Sequence, residues 1–191
     1  PGPVLVDIPK DIQFQTGTYI GPDTVKHKSY RPKLKANIDK IDEALQLIVN
    51  AEKPIFYTGG GVINSGNAAV QLLREFVRLT GFPITSTLQG LGAFPGDDNQ
   101  FVGMLGMHGT YEANMAMNKC DLMINIGARF DDRITGKIDE FSPNSKKIHV
   151  DIDPSSINKV ISVDVGLAGD VAHVLEDAIK LWKSKVYKVN K

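Results

Sequence analysis

From residue 37 onward the apolar positions switch between two periods. Ile38, Ile41, Leu45 and Ile48 recur at spacings of three and four, which predicts an amphipathic helix. Pro54-Ile55-Phe56-Tyr57-Thr58 is a short apolar run and predicts a buried strand, ended by Gly59-Gly60-Gly61. Ala69, Leu72, Leu73, Phe76 and Leu79 form a second helical stripe, with Ser65 as its predicted N-cap and Gly81 then Pro83 as its stop. Further strands are predicted over residues 83–87, 101–105, 121–126, 147–151 and 160–165, with a helix over residues 110–119. Val171, Val174, Leu175, Ala178 and Trp182 make a closing helix. Short apolar strands alternating with helices imply a parallel sheet, because crossover helices cover both of its faces with apolar surface. The expected fold is α/β: a three-layer, doubly wound domain over residues 37–182 with six parallel strands.

Both ends break this rhythm. Val4-Leu5-Val6-Asp7-Ile8, set between prolines, predicts one isolated strand within residues 1–9. Residues 10–36 hold Gly17, Gly21, Pro22 and Pro32 and show no sustained period. They carry Lys26, Lys28, Arg31, Lys33 and Lys35 with no acid after Asp23, and read as a linker. Residues 183–191, with Lys183, Lys185, Lys188 and Lys191 and no acid, read as a second linker. The chain opens on Pro-Gly-Pro without methionine and is expected to be a piece of something longer.

Lys plus Arg and Asp plus Glu both number 22, so the formal net charge is zero. That removes the electrostatic argument for nucleic acid or an anionic membrane, and Tyr30 alone could stack a base within the basic linker. No apolar run approaches the ~20 residues of a membrane span. Cys120 is the only cysteine, which excludes intrachain disulfides and cysteine-based zinc sites and favours a reducing compartment.

Open parallel sheets bind ligands beyond the carboxyl ends of their strands, so the loops there carry the candidate chemistry. Residues 59–61 suit either a backbone approach to a phosphate or a tight turn needing positive φ. They are not a nicotinamide fingerprint, since Asn64 stands where the third glycine belongs and residues 80–90 hold no ribose-binding acid. Thr87-Leu88-Gln89-Gly90 forms a second small-residue loop. Leu105-Gly106-Met107-His108-Gly109 forms a third, projecting a soft apolar group and a polar ring beside any flat ligand. Gly127-Ala128-Arg129-Phe130-Asp131-Asp132-Arg133 follows a buried strand directly, and two arginines with two aspartates there suit a phosphate clamp. Asp151-Ile152-Asp153 ends the next strand and could meet ribose hydroxyls or, more weakly, a divalent ion. Asp170 before the last helix could do the same or be a plain N-cap. His27, His149 and His173 read as structural, and no two histidines have metal-ligand spacing. Neither a complete P-loop nor a Ser-His-Asp or Cys-His set can be assembled.

The runs from Gly2 to Asp11, from Leu105 to Thr110, from Gly127 to Arg133 and from His149 to Asp153 together resemble the acetohydroxyacid synthase (acetolactate synthase) catalytic-subunit family. The resemblance spans nearly all of residues 1–182. It implies the last strand of a preceding pyrimidine-binding domain over residues 1–9 and a Rossmann-like central domain binding FAD. It also implies an enzyme of branched-chain amino acid biosynthesis that decarboxylates pyruvate and joins the product to a second 2-ketoacid. Thiamine diphosphate and Mg2+ are the implied cofactors of other domains, and FAD has no net redox role. FAD contacts are implied for Gly60, Thr87, Leu88, Leu105, Gly106, Met107 and His108. They are further implied for Gly127, Ala128, Arg129, Phe130, Asp131, Asp151, Ile152, Asp170 and Val171. Lys10, Met107, Asp132 and Arg133 resemble positions lining the channel to the active site. Ala128 stands where many relatives carry valine. The family's catalytic glutamate is expected upstream of Pro1 and its Gly-Asp-Gly motif downstream of Lys191, since Gly96-Asp97-Asp98 is no substitute. No catalytic residue or metal ligand is therefore expected within these residues. The expected partners are the other domains of the same chain, further catalytic subunits in a homo-oligomer, and a regulatory small subunit. For a bacterial source, a cytoplasmic setting is expected. A flavin-free central domain that only spaces the catalytic domains is the alternative.

Overall fold

The computed structural model describes residues 3–21, 33–185 and 187. The lysine-rich stretch with Pro22, Lys26, His27, Lys28, Tyr30, Arg31 and Pro32, and the terminal Lys188 and Lys191, lie outside the described residues. The chain divides into two units, Pro1–Arg31 and Pro32–Lys191.

In the first unit the expected strand at Val4 to Ile8 is absent: the backbone is without a ladder partner among the described residues. A strand needs a neighbour to take its N–H and C=O groups, and here Val4 and Leu5 are 85% and 95% exposed. One helical turn, α1 (Lys10–Gln13), follows.

The second unit contains a six-stranded parallel sheet in the order β3-β2-β1-β4-β5-β6. Its strands are β1 (Pro54–Thr58), β2 (Ile84–Ser86), β3 (Phe101–Met104), β4 (Leu122–Ile126), β5 (Lys146–Asp151) and β6 (Val165–Ala168). The helices are α2 (Ile38–Asn50), α3 (Gly60–Asn64), α4 (Asn67–Thr80), α5 (Tyr111–Lys119), α6 (Asp132–Thr135) and α7 (Val171–Ser184). Side chains alternate across the strands, as the pleat demands. Phe56, Ile124, Ile126, Ile148 and Val150 face one core, which α2, α4 and α7 close with Leu45, Leu73, Phe76 and Trp182. Ile55, Tyr57 and Met123 face a second core with Ala113 and Met117 of α5. The helices of both faces leave β1 and β4 buried along all five residues each.

Two local expectations fail for physical reasons, and one open alternative is closed. The last strand is displaced from residues 160–165 to Val165–Ala168, where an ideal Cβ on Gly166 would stand 2.6 Å from Ile157 Cγ2. Ser65 does not cap α4, because the chain first makes the short helix α3 and Gly66 at φ +95° takes the cap position. The three glycines after β1 have no positive φ, the turn alternative for them; the first glycine that does is Gly66. Their need is spatial, as the site makes clear. The closing helix runs through Lys183 to Ser184, and Lys183 pairs with Glu75 while Lys185 pairs with Asp42. Upstream, the Leu34 carbonyl accepts the Asp170 N–H at 2.9 Å, so the segment before α2 is docked on the β6–α7 turn.

Candidate functional site at the carboxyl edge of the sheet

The chain reverses its direction of travel across the sheet between β1 and β4, and ligands of open α/β sheets bind outside the carboxyl ends at such a switch. Here the two loops are pressed together. Gly59 N–H donates to the Ile126 carbonyl at 3.1 Å and Gly61 N–H to the Gly127 carbonyl at 2.8 Å. A Cβ on Gly59 would lie 2.5 Å from Ala128 Cα, and one on Gly61 would lie 2.7 Å from Gly127 Cα. Only glycine permits that approach.

The neighbouring loops join this centre. Thr87 N–H donates to the Thr58 carbonyl at 2.9 Å, and Thr87 Oγ1 accepts Gly90 N–H, leaving Leu88 exposed at the edge. Gly60 lies beside Gln89 of the same loop. On the other side, Gly127 N–H donates to the Val150 carbonyl and Gly169 N–H to the Asp151 carbonyl, both at 2.9 Å. Ser65 Oγ donates to the Asp170 carboxylate at 2.9 Å and accepts Ala172 N–H, so the end of α3 is tied to the start of α7. Asp170 also caps α7 through Ala172 N–H, the plain reading of that residue.

The 105–109 loop is joined to α6. Met107 N–H donates to the Arg133 carbonyl at 2.9 Å, and Gly106, at φ +98°, packs against Ile134 and Arg133. Met107 is 65% exposed and His108 is also exposed, so both stand clear of the core. The Arg129 to Arg133 segment is held from below. Tyr57, fully buried, donates its phenol to the Arg129 carbonyl at 3.1 Å, and burial pushes that phenol above its ordinary range. Phe130 is buried against Tyr57, Phe141 and His149. The guanidiniums point outward: Arg129 is 3.6 Å from Asp131 and 79% exposed, and Arg133 reaches Asp132 only at 4.0 Å. Pairs this open are worth about 0–1 kcal/mol and leave the forks free for an anion. The Arg133 N–H, foremost, and the two guanidiniums hold the Asp131 carboxyl below its usual range.

The structure thus brings Gly60, Thr87, Leu88, Leu105, Gly106, Met107, His108, Asp151, Ile152, Asp170, Val171 and the 127–133 loop to one sheet edge. Leu105, Ala128, Phe130 and Val171 are buried, so their side chains shape that edge from beneath. Lys10 belongs to the first unit, on α1, with its Nζ 5.9 Å from the Phe14 ring centre. The Asp153 carboxylate is taken by Ser155, and its pKa is lowered by that hydrogen bond first. Among the described residues no group of three or more His, Cys, Asp or Glu could hold a metal ion.

Two supports, Asn114 and Asn125, went unread, and His149 is structural as expected. Asn125 and His149 lie fully buried under the 127–131 loop, whereas Asn114, on the exposed side of α5, reaches the 105–109 loop through Gly106. An amide inside the apolar strand Leu-Met-Ile-Asn-Ile was the available signal, because a buried amide demands partners. The His149 Nε2 faces the Ala128 carbonyl at 3.1 Å; a carbonyl only accepts, so Nε2 carries the proton. A cavity of about 1080 Å3 opens at the opposite, amino edge between Pro54, Phe82, Cys120 and Trp182, away from every strand's carboxyl end.

A glycine-lined carboxyl edge beside the β1–β4 switch is where open α/β sheets take ligands, and comparison with known proteins gives the chain's class. The chain belongs to the family described as thiamine pyrophosphate enzyme, central domain, whose model matches residues 41–178. Among individual relatives it is similar to the acetolactate synthase large subunit of Buchnera aphidicola subsp. Schizaphis graminum, at 46% identity over 187 residues, 97% of this chain and 32% of that protein. It is likewise similar to the acetolactate synthase isozyme 3 large subunit of Escherichia coli K12, at 45% identity over 183 residues, 95% of this chain and 32% of that protein. The large subunit of Corynebacterium glutamicum is 45% identical over 184 residues, 96% of this chain and 29% of that protein. The chain spans about a third of the length of these relatives.

Proposed function

We propose that this chain is the central, FAD-binding domain of an acetolactate synthase large subunit. The whole enzyme decarboxylates pyruvate and condenses the product with a second 2-ketoacid on the way to valine, leucine and isoleucine. The family match and the names of the relatives support the enzyme class. The observation that carries FAD is the composition of the carboxyl edge. Exposed Leu88, Met107 and Ile152 offer an apolar surface to a flat ring, beside the free guanidiniums of Arg129 and Arg133, which suit a diphosphate. The residues present therefore fit the group.

In this reading Arg129 holds the diphosphate side, Met107 and Leu88 meet the rings, and Asp151 accepts from ribose hydroxyls. Bound flavin supplies an organising contact surface and no net electron transfer. Residues 1–9 belong to a preceding domain, residues 10–36 and those beyond the end of α7 at Ser184 are connectors, and Met107, Asp132 and Arg133 line a path to the active site. Thiamine diphosphate and Mg2+ are held by domains outside these residues, which contribute no catalytic side chain. The partners are those domains, other catalytic subunits and a regulatory small subunit, in the bacterial cytoplasm.

A flavin-free spacer domain is the competing reading. Denaturing the purified intact protein and measuring released flavin separates the two. About one FAD per chain is expected; an active, colourless protein with no releasable FAD would make the domain a spacer.

A further inference from the structure

Two side-chain amides each close a two-bond ring on one residue of the edge loops. Asn125 donates to the Ala128 carbonyl at 2.8 Å and accepts the Ala128 N–H at 3.1 Å. Asn114 donates to the Gly106 carbonyl at 3.1 Å and accepts the Gly106 N–H at 2.8 Å. An amide presents one acceptor and one donor in a plane, the complement of a residue's own N–H and C=O. Each ring therefore fixes a backbone unit as a ladder partner would.

The two loops need such fixing. Each turns on a glycine with positive φ, Gly106 at +98° and Gly127 at +65°, and glycine leaves the backbone most free. Ala128 is buried and its polar groups require partners; His149 adds a second donor to its carbonyl. The loops also meet, through Met107 N–H and the Arg133 carbonyl, so fixing each one registers Met107 and His108 against Arg129 to Arg133.

We infer that Asn114 and Asn125 are positioning residues that pre-form the FAD-binding edge, a role that rests on the FAD reading above. They hold the two loops in one arrangement and act through Gly106 and Ala128. Ordering a loop at the moment of binding costs affinity, and a loop already ordered avoids that cost.

Asn114→Asp and Asn125→Asp keep the side chain's shape and its acceptor but remove the donor, setting oxygen against a carbonyl. In the intact protein, hydrogen exchange at residues 105–109 and 127–131 is expected to quicken about tenfold in the loop each variant serves, with α2 and α4 unchanged. The dissociation constant for FAD, read by flavin fluorescence well below the melting temperature, is expected to rise about 5- to 30-fold. Ile48→Val, a core change in α2, supplies the comparison for mere destabilisation. Its affinity is expected to stay within about twofold despite a lowered Tm, as for a distant independent site. Unchanged loop exchange in both amide variants, or affinities that track Tm alike in all three proteins, overturns the proposal. A parent protein that binds no FAD overturns the FAD reading and the proposal together. A parent that binds FAD while both variants bind it equally overturns the proposal alone.

Discussion

Gly59→Ala is expected to lower the melting temperature by roughly 5–10 °C and to weaken FAD binding in the protein that survives. The backbone of Gly59, at φ −129° and ψ −174°, suits alanine, so conformational strain is not the cause. The cause is space. The new Cβ would meet Ala128 Cα and the Gly127 carbonyl at 2.5 Å, and both are backbone, which cannot swing aside. Overpacking of this kind costs about 2–3 kcal/mol, and in a chain of this size each kcal/mol moves Tm by roughly 2–4 °C. The loop displaced is the one that carries Arg129, so stability and ligand affinity fall together. Gly96→Ala is the control: nothing lies within 4 Å of its Cβ, and its change is expected to stay within about 0.5 kcal/mol. Thermal melts of both variants check this. A Gly59→Ala protein as stable as Gly96→Ala would mean that the two loops are not in contact at the switch point.

Arg129→Ala is expected to weaken FAD binding by about 10- to 100-fold while leaving stability almost unchanged. The guanidinium is 79% exposed and lies 3.6 Å from Asp131, so removing it forfeits little folding energy. A charge-assisted contact with a ligand phosphate is worth roughly 1.5–3 kcal/mol, which sets the size of the loss. Activity of the intact enzyme should fall with flavin occupancy and return with excess FAD. Arg129→Lys should recover only part, because an ammonium cannot make the bidentate fork. Titrating FAD against the flavin-free variant decides the matter, and an unchanged dissociation constant would remove Arg129 from the site.

Much of this was legible in the sequence, because the second unit obeys local rules. The helical stripes at Ile41, Leu45 and Ile48 and at Leu73 and Phe76 became buried faces of α2 and α4, and Asp170 became the N-cap of α7. The six-stranded parallel sheet followed from the alternation of strand and helix. What was not legible depends on partners remote in the chain. Ser65 looked like a helix start, yet its hydroxyl is taken by Asp170, 105 residues away. Val160, Ile161 and Val163 looked like a strand, whereas the true strand carries Gly166 because Ile157 packs over it. Val4 to Ile8 has strand composition and no strand to pair with among the described residues. Of the two readings of the glycines at 59 and 61, the tight turn with positive φ is the one that fails, and contact with Gly127 and Ala128 requires glycine there.

The site was legible as loops, and its supports were not. Glycine clusters and paired charges after apolar strands pointed to residues 59–61, 105–109 and 127–133. Asn125, Asn114 and Tyr57 hold those loops through backbone atoms, and backbone partners leave no mark in side-chain motifs.

The central claim is that FAD lies along the carboxyl edge of this sheet. Hydrogen exchange of the intact protein, with flavin removed and then restored, tests it most directly. The account predicts that FAD slows exchange at residues 87–92, 105–109, 127–133 and 151–153 and leaves the amino-edge cavity around Pro54, Phe82 and Trp182 unaffected. Protection centred on that amino-edge cavity, or no protection in these loops with FAD bound, would contradict it.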